Sequence, residues 1–379
     1  MDLQECRDRI DQIDDQLTEL FKQRMDIAVQ VAQYKKEHNL PVLNASRERE
    51  ILERVCARCG EELGLYAKLL FSTIFDLSRS RQSALLSTET PLAKRIEDAR
   101  AETPDLFPKK AVVACQGVEG AYSQQACDKL FSLPSILYFN TFEAVFQAVD
   151  RGMCEYGILP IENSTYGSVS EVYDLMKKYS FHIARSTRLR IQHDLLVNPG
   201  VRLEEVKEII SHEQALGQCS EFLAGLKNMT ITRCENTAKA AKMVAESGRR
   251  DVAAISSHNC AELYGLEALR RGVQNSEDND TRFICISKKM QIFPGASRIS
   301  VMTGLSHRPG ALNAMLARFA ALGLNLSKLE SRPIEGTDFE FMFYFDVAAS
   351  IDDPEVVRVL GDLARESGHF IFLGAYGEV

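Results

Sequence analysis

The sequence predicts a multidomain chain with an all-α domain, a two-lobed α/β domain and a small α+β domain of ferredoxin-like order. Residues 1–86 show helical periodicity only. Residues 111–287 alternate between strand-like and helix-like segments, and residues 298–379 follow the order β-α-β-β-α-β. A chain of 379 residues is also longer than one hydrophobic core usually organises.

The first predicted helix carries an apolar stripe that advances in alternating steps of three and four residues. The stripe consists of Leu3, Cys6, Ile10, Ile13, Leu17, Leu20, Ile27, Val31 and Tyr34. Arg24 stands where the pattern requires an apolar residue, and an inward guanidinium needs an anion as its partner. The pattern predicts an anion-binding site, but a coiled-coil helix with one tolerated inward Arg fits the stripe equally well.

The basic residues of this helix differ in how far apart they lie. At 1.5 Å per residue, Arg24 and Lys35 are about 16 Å apart along the axis, so both side chains can reach one small ligand. Arg7 and Lys35 are about 42 Å apart, which is too far for one ligand on one straight helix. Arg7 can therefore belong to such a site only if another chain supplies it.

Two further helices are predicted over residues 47–58 and 62–85. Ser78 and Gln82 are four residues apart and therefore share one face of the third helix. At the start of the second helix, Glu48 is favoured by the helix dipole and can accept a hydrogen bond from a hydroxyl. Its neighbour Arg47 adds a further cation.

A turn and a linker separate these helices from each other and from the next domain. Pro41 and Asn44 mark the turn after the first helix. Residues 87–110 are polar and charged and contain three prolines, which is the composition of a linker. We therefore predict a helical domain over 1–90 and a linker over 91–108.

The middle of the chain, residues 109–290, predicts an α/β domain. The alternating stretch 181–197 can carry the chain into a second lobe, and residues 281–287 are typical of a returning strand. Two α/β lobes joined by crossing strands create a cleft, the usual place for a small ligand.

Polar motifs stand at the ends of the predicted strands of this domain. They are Gln116–Ser123, Leu159–Ser164, Ser211–Gln214 with Gln218, Glu235–Thr237 and Thr281–Phe283. The first resembles an anion-binding turn that opens a helix, although it is neither a Walker loop nor a G-x-G-x-x-G motif. Helix caps and tight turns explain any one motif, but not the ordered set.

Composition excludes several classes of partner. The net charge of −8 without a basic cluster argues against nucleic acid, and no apolar run is long enough to cross a membrane. The start of the chain lacks the apolar core of a signal peptide, and ten scattered cysteines suit a reducing compartment, so we expect a cytoplasmic protein. Cys56 and Cys59 form a single C-x-x-C in a helical segment, which we interpret as helix packing, and we expect no metal.

Seven residues on the three predicted helices resemble the all-helical chorismate mutases over about the first 86 residues. They are Arg7, Arg24, Lys35, Arg47, Glu48, Ser78 and Gln82. The resemblance implies an intertwined dimer and a rearrangement of chorismate to prephenate that needs no nucleophile and no cofactor. Arginines would hold the two carboxylates, Lys35 and Gln82 would face the ether oxygen, and Glu48 would take the substrate hydroxyl. Asn44, a further expected substrate-binding position, departs from the family's better-known Asp.

The ordered motifs of residues 109–290 resemble prephenate dehydratase, whose fold is similar to that of type II periplasmic binding proteins. The resemblance implies loss of carbon dioxide and water from prephenate to give phenylpyruvate. We expect Thr281 to donate to the departing hydroxyl as one link of a relay, assisted by Glu162, Asn163 and Gln218. Further expected substrate-binding residues are Ser123, Ser164, Ser211, Glu235 and Arg282. Arg282 would clamp a carboxylate, although an outward structural Arg fits the strand about as well.

Two motifs of residues 298–379 resemble the phenylalanine-binding motifs of ACT domains. The first is Arg308–Asn313 and the second Glu330–Pro333. The resemblance implies effector binding by Gly310, Ala311, Leu312, Glu330, Ser331 and Arg332, with Asn313 in place of the usual aliphatic residue. The alternative is an ACT-like fold used only for oligomerisation.

Taken together, the three resemblances imply a bifunctional enzyme of phenylalanine biosynthesis. It would bind chorismate and prephenate, be inhibited by L-phenylalanine, and form a homodimer or a higher homo-oligomer. One alternative is a mutase fused to prephenate dehydrogenase, which needs a nicotinamide fingerprint where only Gly117 and Gly120 are present. Another is a two-lobed amino-acid sensor with a helical dimerisation domain.

Overall fold

The computed structural model describes residues 2–38, 40, 44–86, 90–305, 310–333 and 341–379, without the side chains of residues 80 and 83–86. The chain divides into two compact units. The first contains residues 1–95, 303–343 and 351–370, and the second contains residues 96–302, 344–350 and 371–379.

The helices of the first unit begin with α1 (Leu3–Glu37), a continuous helix of 35 residues. A capping box fixes its start, because the Asp2 carboxylate accepts from the Glu5 N–H at 2.8 Å and the Glu5 carboxylate accepts from the Asp2 N–H at 3.0 Å. The next helical stretch, α2 (Ala45–Leu86), is broken at Gly60, whose φ of 71° is not helical. The two predicted helices over 47–58 and 62–85 are therefore confirmed, on either side of this break.

The face of α1 that packs on α2 is not its apolar stripe. Ala28 and Ala32 are buried on α1, whereas the stripe residues Leu3, Ile10, Ile13, Leu17, Leu20, Ile27, Val31 and Tyr34 are 39–68% exposed. A row of large apolar side chains on one face of a helix is unusual for a surface that meets only water.

The predicted linker begins with a helix, α3 (Pro91–Glu102). Thr90 caps it by accepting from the Ala93 N–H at 3.1 Å, and Leu92, Ile96 and Ala99 are buried. These three residues follow helical spacing, so their periodicity outweighs the polar composition of the segment.

Two sheets form the lobes of the second unit. The first lobe has the strand order β2-β1-β3-β11-β5, with β4 beside β3. Its strands are β1 (Lys110–Gln116), β2 (Leu133–Phe139), β3 (Tyr156–Asn163), β4 (Gly167–Ser168), β5 (His182–Arg190) and β11 (Asp280–Ser287). Its helices are α4 (Tyr122–Leu130), α5 (Phe142–Asp150) and α6 (Ser170–Tyr179).

The second lobe has the strand order β10-β6-β9-β7-β8. Its strands are β6 (Asp194–Val197), β7 (Glu208–His212), β8 (Thr230–Cys234), β9 (Val252–Ser256) and β10 (Glu267–Arg270). Its helices are α7 (Glu213–Gln218), α8 (Ser220–Ala224), α9 (Thr237–Ser247) and α10 (His258–Tyr264), with one 3-10 turn at Leu203–Glu205. The chain enters this lobe after β5 and returns through β11, which confirms the predicted two-lobed α/β architecture.

The last sheet has the order β13-β14-β12-β15. Its elements follow one another as β12 (Arg298–Leu305), α11 (Ala311–Ala321), β13 (Asn325–Pro333), β14 (Phe341–Ala348), α12 (Pro354–Glu366) and β15 (Phe370–Tyr376). The β-α-β-β-α-β order is confirmed. Residues 344–350 and 371–379 of this region belong to the second compact unit.

The end of β15 and the residues after it lie against β5. Gly374 allows the close approach, because a Cβ there would lie 2.4 Å from the Ile183 carbonyl oxygen. The Val379 N–H donates to the Ser186 carbonyl at 3.0 Å, and the Thr187 hydroxyl donates to the Val379 carbonyl at 2.7 Å. Residues 371–379 are therefore part of the packing of the dehydratase-like unit.

Candidate active sites

The first candidate site lies between α1 and α2. The Arg24 guanidinium donates to the Ser78 hydroxyl and lies over the Phe75 ring, 5.5 Å from its centroid. One turn further along α2, the Lys35 ammonium donates to the Gln82 side-chain oxygen at 3.3 Å. Four of the predicted residues are thus brought together, with Ser78 and Gln82 buried.

Burial sets the electrostatics of these two cations. Desolvation lowers the pKa of Arg24 and of Lys35, and the negative charge of Glu48 partly opposes the shift in both. Glu48 itself is half-buried and pairs with Arg79, which also pairs with Asp76. The site therefore holds two half-buried cations within the field of one carboxylate.

Three predicted residues of this site take other positions within one chain. Arg7 is exposed, near the start of α1. The Arg47 guanidinium pairs with Glu50 at 2.7 Å on the surface. Asn44 caps α2, since its side-chain oxygen accepts from the Arg47 N–H at 3.0 Å.

The second candidate site lies where β3 and β11 meet. The Asn163 side-chain amide donates to the Thr281 hydroxyl oxygen at 2.8 Å and to the Asn279 side-chain oxygen at 2.7 Å. Asn163 in turn accepts from the N–H groups of Thr165 and Tyr166. Because Asn163 donates to Thr281, the Thr281 hydroxyl keeps its own proton for another acceptor.

Four other predicted residues of this domain differ in their burial and in their partners. Ser164 fastens its loop by donating to the Asp278 carbonyl at 2.9 Å, and Ser211 donates to the Ile255 carbonyl at 2.6 Å. Ser123 is buried near the start of α4, and Glu235 pairs with Lys239 at 2.8 Å.

Gln218 has a partner that the sequence reasoning missed. His193 Nε2 lies 2.8 Å from the Gln218 side-chain oxygen, and its Nδ1 lies 3.5 Å from the Tyr122 hydroxyl. Burial lowers the pKa of His193, although the hydrogen bond to Gln218 opposes the shift, so the ring is neutral at pH 7. His193 stands in the irregular segment between β5 and β6, within the stretch 181–197 that the sequence predicted only as a crossing strand.

The sequence left open whether Arg282 clamps a carboxylate or points outward from its strand as a structural residue. Arg282 is only 2% exposed, so it does not point outward into solvent. Its Nε lies 3.0 Å from Glu162 Oε1 and its Nη2 lies 2.5 Å from Asp346 Oδ2. Successive residues of a strand point to opposite faces, so Arg282 and Glu162 lie on one face of the sheet and Thr281 and Asn163 on the other.

The third candidate site follows the ACT-like motifs. Gly310 has a φ of 83° and precedes α11, so it supplies the left-handed turn before the helix. Ala311 and Leu312 are half-buried at the helix start, and Asn313 is exposed. Glu330, Ser331 and Arg332 end β13, where Lys328 and Glu330 approach to 3.8 Å. Arg308 and Pro309 of the first motif lie outside the described residues.

Two further features are absent from the described part of the chain. No three His, Cys, Asp or Glu side chains there are grouped so that they could hold a metal ion. No helix there combines the length and the apolar character that a membrane span requires.

Comparisons with known proteins match all three regions. Residues 6–83 match the family model of chorismate mutase type II, residues 113–291 that of prephenate dehydratase and residues 299–365 that of the ACT domain. A bifunctional chorismate mutase/prephenate dehydratase of Enterobacter agglomerans is 32% identical over 381 residues, which cover 98% of this chain and 94% of that protein.

Two solved structures resemble the dehydratase and ACT regions. Prephenate dehydratase from Arthrobacter aurescens, in complex with L-Phe, has a TM-score of 0.64 at 28% identity and covers 70% of this chain and 89% of its own. GqqA, described as a novel type of quorum quenching acylase, has a TM-score of 0.64 at 32% identity and covers 71% of this chain and 98% of its own.

Proposed function

We propose how the active sites work in a chain that belongs to the family of bifunctional chorismate mutases/prephenate dehydratases. The chain converts chorismate to prephenate, and prephenate to phenylpyruvate with loss of carbon dioxide and water. Its ACT domain fits feedback inhibition by L-phenylalanine. Incubation with chorismate alone, followed by quantification of prephenate and phenylpyruvate, tests both activities at once.

The observation that supports the mutase site is the pair of hydrogen bonds between α1 and α2. Arg24 bonds to Ser78, and Lys35 bonds to Gln82. Arg24 binds a substrate carboxylate and favours the compact conformer that rearranges. Lys35 and Gln82 donate to the ether oxygen as its bond breaks and negative charge develops there. Glu48 accepts the substrate hydroxyl.

A second chain completes this site. The apolar stripe of α1 is exposed in one chain and runs almost the whole length of the helix, so it fits a partner helix with the same stripe. Arg7 lies too far from Lys35 to share a ligand in one chain. In a two-fold dimer, the partner subunit's α1 brings its own copy of that arginine to the site.

Mixing two inactive variants tests the shared site. Arg7→Ala protein and Lys35→Ala protein each carry a lesion in every site, but a mixed dimer has one doubly damaged site and one intact site. With random exchange about half of the dimers are mixed and half of their sites are intact, so roughly a quarter of the wild-type mutase activity returns. Subunit exchange is verified by mass spectrometry. If no activity returns after exchange, Arg7 is a solvated surface residue and not part of the site.

The dehydratase site is carried by the hydrogen bond from Asn163 to Thr281. With that bond made, the Thr281 hydroxyl donates its proton toward the departing hydroxyl of prephenate. A threonine hydroxyl is too weak an acid to act alone, so it forms one link of a relay. Decarboxylation and loss of the hydroxyl then form the aromatic ring.

Gln218 presents its amide N–H groups to the substrate. Neutral His193 donates from Nε2 to the Gln218 side-chain oxygen, which leaves the amide nitrogen as a donor. Four other predicted residues of this site, Ser123, Ser164, Ser211 and Glu235, remain proposed substrate-binding residues.

The last two parts of the proposal are a phenylalanine-binding site in the ACT domain and a cytoplasmic location. L-Phenylalanine binds at the start of α11 and the end of β13, through Gly310, Ala311, Leu312, Glu330, Ser331 and Arg332. The chain works in the cytoplasm, which agrees with ten cysteines that are all free, most of them at least half-buried.

A further inference from the structure

A buried cluster of charges lies on the face of the sheet opposite Thr281. Arg282 of β11 is at its centre and is bound by Glu162 of β3 at 3.0 Å and by Asp346 of β14 at 2.5 Å. The Asp346 side chain is completely buried, whereas the Glu162 side chain is 25% exposed. Asp346 belongs to the ACT region of the sequence but to the same compact unit as the dehydratase strands.

A hydroxyl group holds the other oxygen of the Asp346 carboxylate, Oδ1, while a second cation approaches the same Oδ2 as Arg282. The Ser300 hydroxyl donates to Asp346 and lies 2.7 Å from the Tyr376 hydroxyl, while the Tyr344 hydroxyl donates to Ser300 at 3.1 Å. Arg298 approaches Asp346 at 3.5 Å. These contacts fix the carboxylate at one position, as a buried charge requires.

The cluster keeps Arg282 ionised. Burial works to lower the pKa of Arg282, but the negative charges around it, among them Asp346 and Glu162, raise the pKa overall. Burial also raises the pKa of Tyr344 and Tyr376, so both remain neutral donors. Arg282 is therefore a permanent cation that two carboxylates hold from two sides.

The position of this cation is linked to the reacting groups by strand register. Arg282 stands opposite Glu162, and the next pair along the two strands is Thr281 opposite Asn163. The register shifts immediately after Arg282, so the ladder itself is irregular at this point. The Arg282–Glu162 ion pair thus fastens the strand ends that carry the Asn163–Thr281 hydrogen bond.

We propose that Asp346 is a positioning residue of the dehydratase, supplied by the ACT region. Its carboxylate fixes Arg282, and Arg282 fixes Glu162 and the register at which Asn163 and Thr281 meet. Without the charge of Asp346, Arg282 follows Glu162 toward the solvent, and the two strand ends shift. The inference rests on the proposed role of Thr281.

Asp346→Asn in the full chain tests the proposal, because it removes the charge at nearly constant volume. We expect the dehydratase kcat to fall by at least about tenfold with KM changed less, since displacement of a reacting group by a fraction of an ångström acts mainly on the chemical step. Mutase activity of the same preparation stays at the wild-type level. A dehydratase kcat within twofold of wild type would overturn the proposal.

Asp362→Asn is the matched control. Asp362 is another buried acid of the ACT region and pairs with Arg358 and Arg365 on α12, in the other compact unit. Its substitution also removes one carboxylate from a pair of arginines, but it should not change the dehydratase kcat. Equal losses in both variants would mean general destabilisation and would overturn a specific role for Asp346.

A double-variant comparison separates positioning from structural damage. Arg282→Met removes the group through which Asp346 acts, so Asp346→Asn should cause no further loss of kcat in that background. Multiplied losses would overturn the proposal. If Asp346→Asn fails to fold, Ser300→Ala replaces it, since both charges remain and only one hydrogen bond to Asp346 is lost; we expect a loss of about two- to threefold, and wild-type kcat would overturn the proposal.

Thr281→Val distinguishes a failure of this inference from a failure of the proposed function. If Thr281→Val retains dehydratase activity, the proposed role of Thr281 is wrong whatever the Asp346 variants do. If Thr281→Val is inactive and Asp346→Asn is fully active, only the positioning role of Asp346 is wrong.

Discussion

The Thr281 hydroxyl accepts one hydrogen bond and has one proton left to donate. Thr281→Val removes this hydroxyl at nearly constant volume. We expect the dehydratase kcat to fall by at least about 10²-fold, because a donor to the leaving group is lost. Coupled measurement of phenylpyruvate from prephenate, and of prephenate from chorismate, should show that only the first activity changes.

Thr187→Val provides the control for that substitution. Thr187 is a buried threonine of the neighbouring strand β5, and its hydroxyl donates to the Val379 carbonyl. Its loss should lower stability by about 1 kcal/mol, the usual net value of one hydrogen bond, with little effect on kcat. Equal activity of the two valine variants would remove Thr281 from the mechanism.

Lys35 gives the mutase a pH dependence. Burial lowers the pKa of Lys35 below the ordinary lysine value of about 10.4. In the proposed role, only the protonated ammonium offsets the negative charge that develops on the ether oxygen. The mutase kcat/KM should therefore fall as pH rises through this lowered pKa. Lys35→Arg keeps the charge at alkaline pH, so the fall should move to higher pH, with a lower maximum because the guanidinium has a different shape.

Lys36→Arg is the control for the alkaline limb, because Lys36 is the exposed neighbour of Lys35 on α1. Its pH profile should match that of the wild type. If Lys35→Arg also leaves the alkaline limb in place, another group titrates there and Lys35 is not the donor.

The residues that the sequence predicted correctly as neighbours follow helix geometry. Arg24 and Lys35 are eleven residues apart (35 − 24) and Ser78 and Gln82 four (82 − 78), so each pair shares one face of its helix before any tertiary contact forms. His193 escaped prediction because the alternating stretch 181–197 was interpreted only as a crossing strand and its partner Gln218 is 25 residues away. Asp346 was not predicted either, because its partner Arg282 is distant in sequence and no local sequence pattern indicates such an ion pair.

At the scale of single elements, the break in α2 depends on Gly60. A side chain at φ 71° is strained, and no atom lies within 4 Å of a Cβ built there to compensate. Gly60→Ala should cost about 1 kcal/mol. For a helical region of this size, such a loss lowers the midpoint of thermal inactivation of the mutase by about 4–8 °C.

Gly64→Ala is the matched comparison within the same helix. Gly64 lies in the helical part of α2 after the break, and its added Cβ would be 3.5 Å from the Cys56 carbonyl oxygen, an ordinary contact. Because alanine favours a helix over glycine by up to about 1 kcal/mol, this variant should be neutral or more stable. Equal destabilisation by both alanines would mean that φ at Gly60 is not the cause.

The predicted order of strands and helices was confirmed in all three regions because hydrophobic periodicity is local information. Segment 91–102 shows the limit of composition, since its charged residues suggested a linker while Leu92, Ile96 and Ala99 formed the buried face of α3. The exposed stripe of α1 is a different case. Its pattern predicts a packed face, which is exposed within one chain, and a partner helix is our proposal for what covers it.

At the scale of the whole molecule, L-phenylalanine should inhibit the dehydratase and stabilise the chain. A ligand that binds only the folded protein stabilises it by about 2.7 kcal/mol at a concentration of 100 times Kd. Combined Ser331→Ala and Arg332→Ala substitution should abolish both the inhibition and the rise in melting temperature. Calorimetry and dehydratase assays with millimolar phenylalanine measure the two effects.

Ser327→Ala controls for loss of a hydroxyl from the same strand, because Ser327 is also an exposed residue of β13. Its response to phenylalanine should equal that of the wild type. If the wild type shows neither inhibition nor a melting shift, the ACT domain is not a phenylalanine sensor. Asn313 at the start of α11 is then the first residue to replace by the aliphatic residue that is usual in the motif.

The pairing of Arg282 with Asp346 also has a consequence for the order of events during translation of the chain. Asp346 is translated 64 residues after Arg282 (346 − 282). At about 5–20 residues per second, a ribosome takes several seconds to supply it. During this interval the nascent dehydratase lobe holds a guanidinium whose final carboxylate has not yet been made. The buried ion pair of Arg282 and Asp346 can therefore form only after this interval, and slow codons between these two positions would lengthen it.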